Sequence, residues 1–300
     1  MSKEILAYLS GIIDSEGNVV TTKYVHLRVS NKSELLIRFL QKNWNGSVSL
    51  DKRPQKSCYS WKASNKKFIP LLPQLKNYLL IKRRQIELWI KVISLYRRFN
   101  HKEYGQNKEI VRNIRKRISF LNQNTLDVLG KNLSNSEELP KWDNSELSLS
   151  EKLSYLAGLI DGDGYIYMKK VKNKEGNIYY YPTVGIVSIH KWFIDYLIKE
   201  FPATLGIKKP KLENRRYLYE WLSHQETIKF LIENNIENFS LIKKKQWKLV
   251  KKFYTFGNSE WGKAKEKQIK VKKIVAYMRI LNNSLKGKCN DYTEDPKGMT

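Results

Sequence analysis

The sequence predicts an α+β fold built by tandem duplication: two αββαββα units, each an antiparallel four-stranded sheet backed by helices, related by a pseudo-twofold axis. Three observations carry this. A twelve-residue stretch occurs twice without a gap, as Leu6-Ala7-Tyr8-Leu9-Ser10-Gly11-Ile12-Ile13-Asp14-Ser15-Glu16-Gly17 and as Leu153-Ser154-Tyr155-Leu156-Ala157-Gly158-Leu159-Ile160-Asp161-Gly162-Asp163-Gly164. The same succession of strand and helix patterns follows each copy, at a period of roughly 150 residues. Between the halves, a Ser/Asn/Glu-rich stretch holding Pro140 reads as a linker, which divides the chain into residues 1–130, 131–147 and 148–300.

Each copy is helical, and Ala7 with Gly11, like Ser154 with Gly158, places small residues four apart on one face. A face without bulk lets two helix backbones approach closely. Met1–Asp14 forms the first of these helices, and Ser148 with Glu151 makes a capping box for the second. Gly17 and Gly164 are expected to end them as left-handed C-caps. The carboxylates of Glu16 and Asp163 then sit in the last turn, where the macrodipole is already negative. Packed side by side in parallel, the two helices would bring these acids together, and a divalent cation between them would relieve their repulsion.

The remaining elements follow in order. Asn18–Ser30 alternates, with Val25, Leu27 and Val29 on one face and Tyr24, His26 and Arg28 on the other, a strand pair turning near Thr22-Lys23. Ser33–Trp44 is a helix with Ser33 as N-cap and Leu35, Leu36, Phe39 and Leu40 as its apolar stripe. Strands at Ser47–Arg53 and Tyr59–Ser64, joined by a basic loop at Lys52–Lys56, lead to helices at Lys66–Leu80 and Arg83–Phe99. The second half repeats the order. Its strands fall at Tyr165–Lys172, Tyr179–Ile189, Lys208–Arg215 and Tyr217–His224, with a helix at Lys191–Phe201. Tyr59-Ser60-Trp61 matches Tyr219-Glu220-Trp221, and Ile81–Gln85 matches Ile242–Gln246, each opening a long helix. Basic helices ending in Leu-Asn, Lys108–Asn124 and Lys265–Asn282, close the halves.

Composition sets the class of partner. The 300 residues carry 56 Lys+Arg against 29 Asp+Glu, a net charge of +27, while 41% apolar residues and eight Trp support a folded core. Such a surface repels itself unless a polyanion is present, and nucleic acid is the usual one. The positive charge runs the whole length and is not gathered beside one apolar helix, which disfavours a membrane surface. No apolar run is long enough to span a bilayer, and no cleavable signal precedes the first helix. The two cysteines, Cys58 and Cys289, lack metal-ligand spacing and fit free thiols in a reducing intracellular compartment, an organelle matrix or the cytoplasm and nucleoid. The four His, at 26, 101, 190 and 224, form no zinc pattern.

Leu9–Gly17 and Leu156–Gly164 resemble the paired motifs of the double-motif LAGLIDADG homing endonucleases. The second copy matches the family name at all but one place; the first has Ser10, Ile12, Ser15 and Glu16 where the name has Ala, Leu, Ala and Asp. The resemblance implies a monomer whose two sheets form a DNA-binding saddle over a long, nearly palindromic double-stranded target. It also implies a metal-dependent double-strand break with short 3′ overhangs. By the same resemblance Glu16 and Asp163 bind Mg²⁺ (with Ca²⁺ or Mn²⁺ as possible substitutes), aided by the carbonyls of Ser15 and Gly162, while Asp14 and Asp161 orient the helix ends. A basic residue near the start of the last core helix belongs to such sites; alignment sets Leu80 and Leu241 there, with Lys82 and Lys243 two residues later. Asn31 and His190, at the ends of the second strands, are candidates for the polar groups around the attacking water. Tyr24, His26, Arg28, Arg53 and Lys62 in the first half, and Tyr167, Lys169, Lys211 and Arg215 in the second, are the expected DNA contacts. Two further readings stay open: an RNA maturase acting on intron RNA through the basic linker and tail helices, and a DNA-binding regulator that does not cut. An intein is disfavoured, because no Cys or Ser opens a splicing domain and no His-Asn closes one.

Overall fold

A computed structural model of the chain describes residues 2–22, 24–53, 56–63, 67–98, 104–123, 142, 147–209, 217–255 and 265–285. The first half runs α1 (Lys3–Glu16), β1 (Gly17–Thr21), β2 (Val25–Asn31), α2 (Glu34–Trp44), β3 (Ser47–Arg53), β4 (Lys56–Ala63), α3 (Leu72–Tyr78), α4 (Arg83–Arg98) and α5 (Tyr104–Gln123). The second repeats it as α6 (Leu149–Gly162), β5 (Gly164–Lys172), β6 (Ile178–Ser188), α7 (Lys191–Glu200), β7 (Ala203–Lys208), β8 (Leu218–Ser223), α8 (Gln225–Glu233), α9 (Lys244–Thr255) and α10 (Lys265–Leu285). Each half holds one four-stranded sheet, ordered β1-β2-β4-β3 and β5-β6-β8-β7, antiparallel throughout.

The registers coincide between halves. Val29 lies opposite Trp61 and Ile186 opposite Trp221. Both tryptophans are fully buried, and their indole N–H groups donate to the carbonyls of Asn45 (2.5 Å) and Phe201 (2.8 Å). On β2, Val25, Leu27 and Val29 face the core while His26, Arg28 and Ser30 stay partly open, as the alternation requires. The tail helices dock alike: the amides of Asn122 and Asn282 donate to the carbonyls of Val19 and Ile166 at 2.8 and 2.9 Å.

α1 and α6 pack against each other along their length. A Cβ on Gly11 would lie 2.2 Å from the Tyr155 carbonyl oxygen, and one on Gly158 would lie 2.3 Å from that of Tyr8. The small-residue face is therefore the contact itself. The Ser148/Glu151 capping box is present on α6.

Several sequence expectations are corrected. Gly17 has φ −80° and is not a left-handed cap; it starts β1, and α1 continues through Glu16. Gly17 and Gly164 are instead set by close approach, since a Cβ there would meet the Ile13 carbonyl oxygen at 2.4 Å and the Ile160 Cα at 2.5 Å. β4 begins at Lys56, three residues earlier than expected, and pairs Arg53 with Lys56. β7 is Ala203–Lys208, because Ala203 is buried and the strand pairs from Ala203 opposite Ser223 to Lys208 opposite Leu218. On α2 the buried stripe is Leu36, Ile37, Leu40 and Trp44, leaving Leu35 57% exposed. The Lys66–Leu80 region is a 3₁₀ turn at Ile69–Leu71 followed by the short α3. Each tail helix extends a turn beyond one expected end, α5 starting at Tyr104 and α10 running to Leu285.

Most of the expected linker, like Cys289, lies outside the described residues. Trp142, within the linker, is buried, stacked edge-on against Tyr155 and Tyr196 at 4.9 and 5.6 Å. Its indole N–H donates to the Tyr78 carbonyl at 2.9 Å, so one side chain touches both halves. Among the described residues no helix is long and apolar enough to cross a membrane.

Candidate active site at the paired helix ends

The parallel pairing of α1 and α6 brings both acidic tips to one place. Gly162 sits so close to the tip of α1 that a Cβ on it would strike the Ser15 hydroxyl and lie 3.2 Å from Glu16 Cγ. Burial, and then the charge of Asp163, push Glu16 up to about 7. Asp163 keeps solvent access on its open side while protein surrounds the rest, and that dehydration lifts it to about 6 despite Lys243 and Lys82 nearby.

Two cavities open at these tips, and each draws on both halves. One, of about 1280 Å³, is lined by Glu16 and Asn31 from the first half and by Gly162 and Lys243 from the second, and it extends along the open face of the second sheet. The other, of about 370 Å³, is lined by Asp163 and His190 from the second half and by Ser15 and Lys82 from the first. Each therefore holds an acid, a polar residue at or just past the end of the β-hairpin of the same half, and a tip residue and a lysine from the opposite half. Asn31 donates from Nδ2 to Glu16 Oε1 at 2.7 Å. His190 is the N-cap residue of α7, makes no side-chain cap, and lies 6.3 Å from the Trp192 ring.

The lysines follow from the motif aspartates. Asp14 accepts from the Leu80 and Lys82 N–H groups, both at 2.7 Å. Asp161 accepts from the N–H groups of Leu241, Ile242 and Lys243 at 2.7, 2.9 and 3.0 Å. Each aspartate thus binds the N–H groups just ahead of α4 or α9, where an anion is favoured. What they orient is the start of another helix, and through it the lysine. Lys243 is buried, its Nζ donating to the carbonyls of Ile160 (2.5 Å) and Asp161 (2.9 Å). Burial lowers both lysines from their ordinary pKa, opposed for Lys82 by Asp14 and Asp163 and for Lys243 by Asp161, Glu16 and Asp163.

No group of three or more His, Cys, Asp or Glu side chains that could hold a metal occurs among the described residues. The tips nonetheless fit a hard divalent cation: two carboxylates, Glu16 half-buried and Asp163 open to solvent, converge beside the carbonyls of Ser15 and Gly162, an all-oxygen donor set.

The exposed sheet faces carry the other candidates. Tyr24 is 64% exposed, Lys62 and Lys169 are exposed, and Tyr167 lines the large cavity with Lys169. His26 is half-buried, its pKa lowered by burial. Arg28 donates to Ser60 Oγ from Nε (3.4 Å) and Nη2 (3.2 Å). The Arg53 side chain, Lys211 and Arg215 lie outside the described residues. The sequence reading passed over Tyr8 and Tyr155, whose hydroxyls reach Asp161 and Asp14, and Glu220 with Tyr165 and Lys208. The signal for the tyrosines was present, as an aromatic hydroxyl repeated at one place in both copies.

Solved structures with this arrangement span nearly the whole chain. The I-LtrWI LAGLIDADG homing endonuclease bound to target DNA superposes with a TM-score of 0.64 at 18% identity, covering 91% of this chain and 97% of that one. This chain has the LAGLIDADG homing endonuclease fold. The meganuclease I-SmaMI bound to uncleavable DNA has a TM-score of 0.61 at 18% identity (93% and 100% covered), and the LAGLIDADG meganuclease I-AabMI bound to uncleaved DNA 0.60 at 15% (90% and 98%). I-SmaMI has also been solved on an uncleaved DNA target with calcium ions present. No protein-family model and no curated protein matches the sequence.

Proposed function

We propose that the chain is a sequence-specific, metal-dependent endonuclease that makes a double-strand break in a long, pseudo-palindromic DNA target, each half reading one half-site and each acid serving one strand. The observation that carries this is the convergence of Glu16 and Asp163 on helices packed too closely to admit a Cβ at Gly11 or Gly158. A pure binder gains nothing from two crowded, mutually repelling carboxylates. Glu16 and Asp163, with the carbonyls of Ser15 and Gly162, would hold Mg²⁺, with Ca²⁺ or Mn²⁺ as substitutes. A cation held there would supply a polarised phosphate, an acidified water and a stabilised leaving 3′ oxygen, and the short 3′ overhangs that the motif resemblance implies would follow from the stagger between the two cuts.

The protein groups have separate tasks. Asn31 orients the Glu16 carboxylate, and His190 is the corresponding polar group beside Asp163, placed to align water. Lys82 and Lys243 stabilise the charge that builds on the phosphate, Lys82 in the cavity it shares with Asp163 and Lys243 in the one it shares with Glu16, while the Lys243 charge also reaches Asp163. Tyr24, His26, Arg28 and Lys62 against one half-site, and Tyr167 and Lys169 against the other, meet backbone and base edges. The protein acts as a monomer in a reducing intracellular compartment.

Incubation with a library of long DNA targets, in Mg²⁺ or in EDTA, tests the reading. Expected is cleavage of one target in Mg²⁺ alone, lost in Glu16→Gln and Asp163→Asn while binding persists. Binding with no cleavage of any target would leave a regulator. A second polyanion has a place on the outer faces of α5 and α10, where Lys108, Arg112, Lys116, Lys272, Lys273 and Arg279 are exposed. Intron RNA is the partner proposed there, checked by whether RNA binding survives saturation with cleaved DNA.

A further inference from the structure

Behind each lysine lies a buried hydrogen-bonded chain that crosses between the halves and returns. Tyr155, on α6, donates its hydroxyl to Asp14 Oδ2 on α1 at 2.6 Å. Asp14 in turn fixes the Leu80 and Lys82 N–H groups, and Lys82 shares the smaller cavity with Asp163, back on α6. The reciprocal chain starts at Tyr8, whose hydroxyl donates to Asp161 Oδ2 at 3.0 Å. Asp161 holds the Lys243 N–H, and Lys243 lines the larger cavity with Glu16, although its charge also reaches Asp163. Tyr8, Tyr155, Asp14 and Asp161 are all buried, so solvent cannot replace a lost donor cheaply.

The chains differ in one member. Ser240 donates from Oγ to Asp161 at 2.7 Å, whereas the matching position ahead of α4 is Leu79, with no hydroxyl. Asp161 keeps a side-chain donor when Tyr8 loses its hydroxyl, whereas among the described residues Tyr155 is the one side-chain donor to Asp14.

We propose that Tyr155 and Tyr8 are positioning residues that set Lys82 and Lys243, and that each therefore controls the cut of a single, different DNA strand, Tyr155 the more strongly. This rests on the endonuclease reading above, and the test separates the two. The recovered target is labelled on each strand in turn, and single-turnover rates in Mg²⁺ are measured for wild type, Lys82→Ala, Lys243→Ala, Tyr155→Phe and Tyr8→Phe. DNA affinity and thermal midpoint are followed in parallel.

Lys82→Ala and Lys243→Ala are expected to slow opposite strands. Tyr155→Phe is expected to slow the Lys82 strand by about tenfold, the scale of one hydrogen bond to a charged group, and to leave the other at the wild-type rate. Tyr8→Phe is expected to slow the Lys243 strand by less. Should Tyr155→Phe fold poorly, Tyr8→Phe still decides, since Ser240 supports its aspartate. If the lysine variants are strand-biased but the tyrosine variants slow both strands alike, or neither, the positioning role is overturned while the nuclease stands. Lysine variants without strand bias also overturn it. A wild-type protein that cuts nothing overturns both readings.

Discussion

The two halves share a core but not a groove. Val29/Trp61 and Ile186/Trp221 occupy the same register, with the same indole-to-carbonyl bond beneath. By that register Arg28 corresponds to Gly185 and Ser60 to Glu220. In the first half the Arg28 guanidinium is held over the Ser60 hydroxyl, which also lies 2.8 Å from that of Ser30. In the second, the Tyr165 ring fills the space above Gly185, where a Cβ would meet it at 2.3 Å. Its hydroxyl donates to Glu220 at 2.6 Å, and Lys208 bridges the same carboxylate at 2.5 Å. The hairpin is longer too, at 9 and 11 residues against 5 and 7. Positions facing inward are dictated by packing and repeat in kind; positions facing the groove are free of that constraint and have diverged, as two unlike half-sites would require.

What both halves share is easiest to break at the helix pair. Gly11→Ala or Gly158→Ala forces a Cβ against backbone that cannot rotate away, costing about 3 kcal/mol or more. Urea unfolding should show it for either variant alike, since the contact is reciprocal. A cost at only one glycine would show that the symmetry is superficial.

Next in size is Trp142→Ala. It removes a buried indole and strands the Tyr78 carbonyl, a loss of about 3 kcal/mol or more by thermal or urea unfolding. Among the described residues this contact has no counterpart by symmetry, so it sharpens the comparison by showing what ties the halves beyond their duplicated parts.

Groove differences should appear in specificity, with a stability cost added at Glu220, which is buried and bonded to Tyr165 and Lys208. Arg28→Ala is expected to relax base preference in one half-site by about 1–3 kcal/mol. Glu220→Gln is expected to alter the other alone. Target selection from randomised half-sites checks this, and cross-effects would mean that the sheets do not read independently.

How far the sequence foretold this varies with the range of the interaction. The α1–α6 pairing was legible because Gly11 and Gly158 lie one turn from Ala7 and Ser154, and β2 because its core face alternates without interruption. Gly17 shows the limit, since a glycine needed for close approach looks the same in sequence as one needed for a left-handed turn. β7 was misplaced because Ala203 and Leu205 make too short an apolar pattern beside the longer basic run after Lys208. Trp142 sits in a polar stretch, and its partners Tyr78, Tyr155 and Tyr196 are distant in the chain, so no local pattern marks it. Asp14 and Asp161 were assigned to the helix ends, but which helix they hold is a tertiary fact.

The smallest expected effect concerns the two acids and asks whether they differ. Both are raised in the folded state, Glu16 from 4.5 to about 7 and Asp163 from 3.8 to about 6, chiefly by burial. A group whose folded pKa exceeds its unfolded one holds protons that the unfolded chain has released. Its stabilising contribution is complete below the unfolded value and is lost as pH rises through the folded value. In EDTA the protein should therefore lose stability from about pH 4 to pH 7. Glu16→Gln should remove the part of that slope between pH 4.5 and 7, and Asp163→Asn the part between 3.8 and 6. Saturating Mg²⁺ should flatten the wild-type curve near pH 7, because a bound cation favours the ionised acids only in the folded state. Urea titrations of the three proteins across pH, with and without Mg²⁺, measure this. An identical slope in wild type and both variants would mean that the acids are too well hydrated to repel, and that the paired tips hold no electrostatic cost for a cation to relieve.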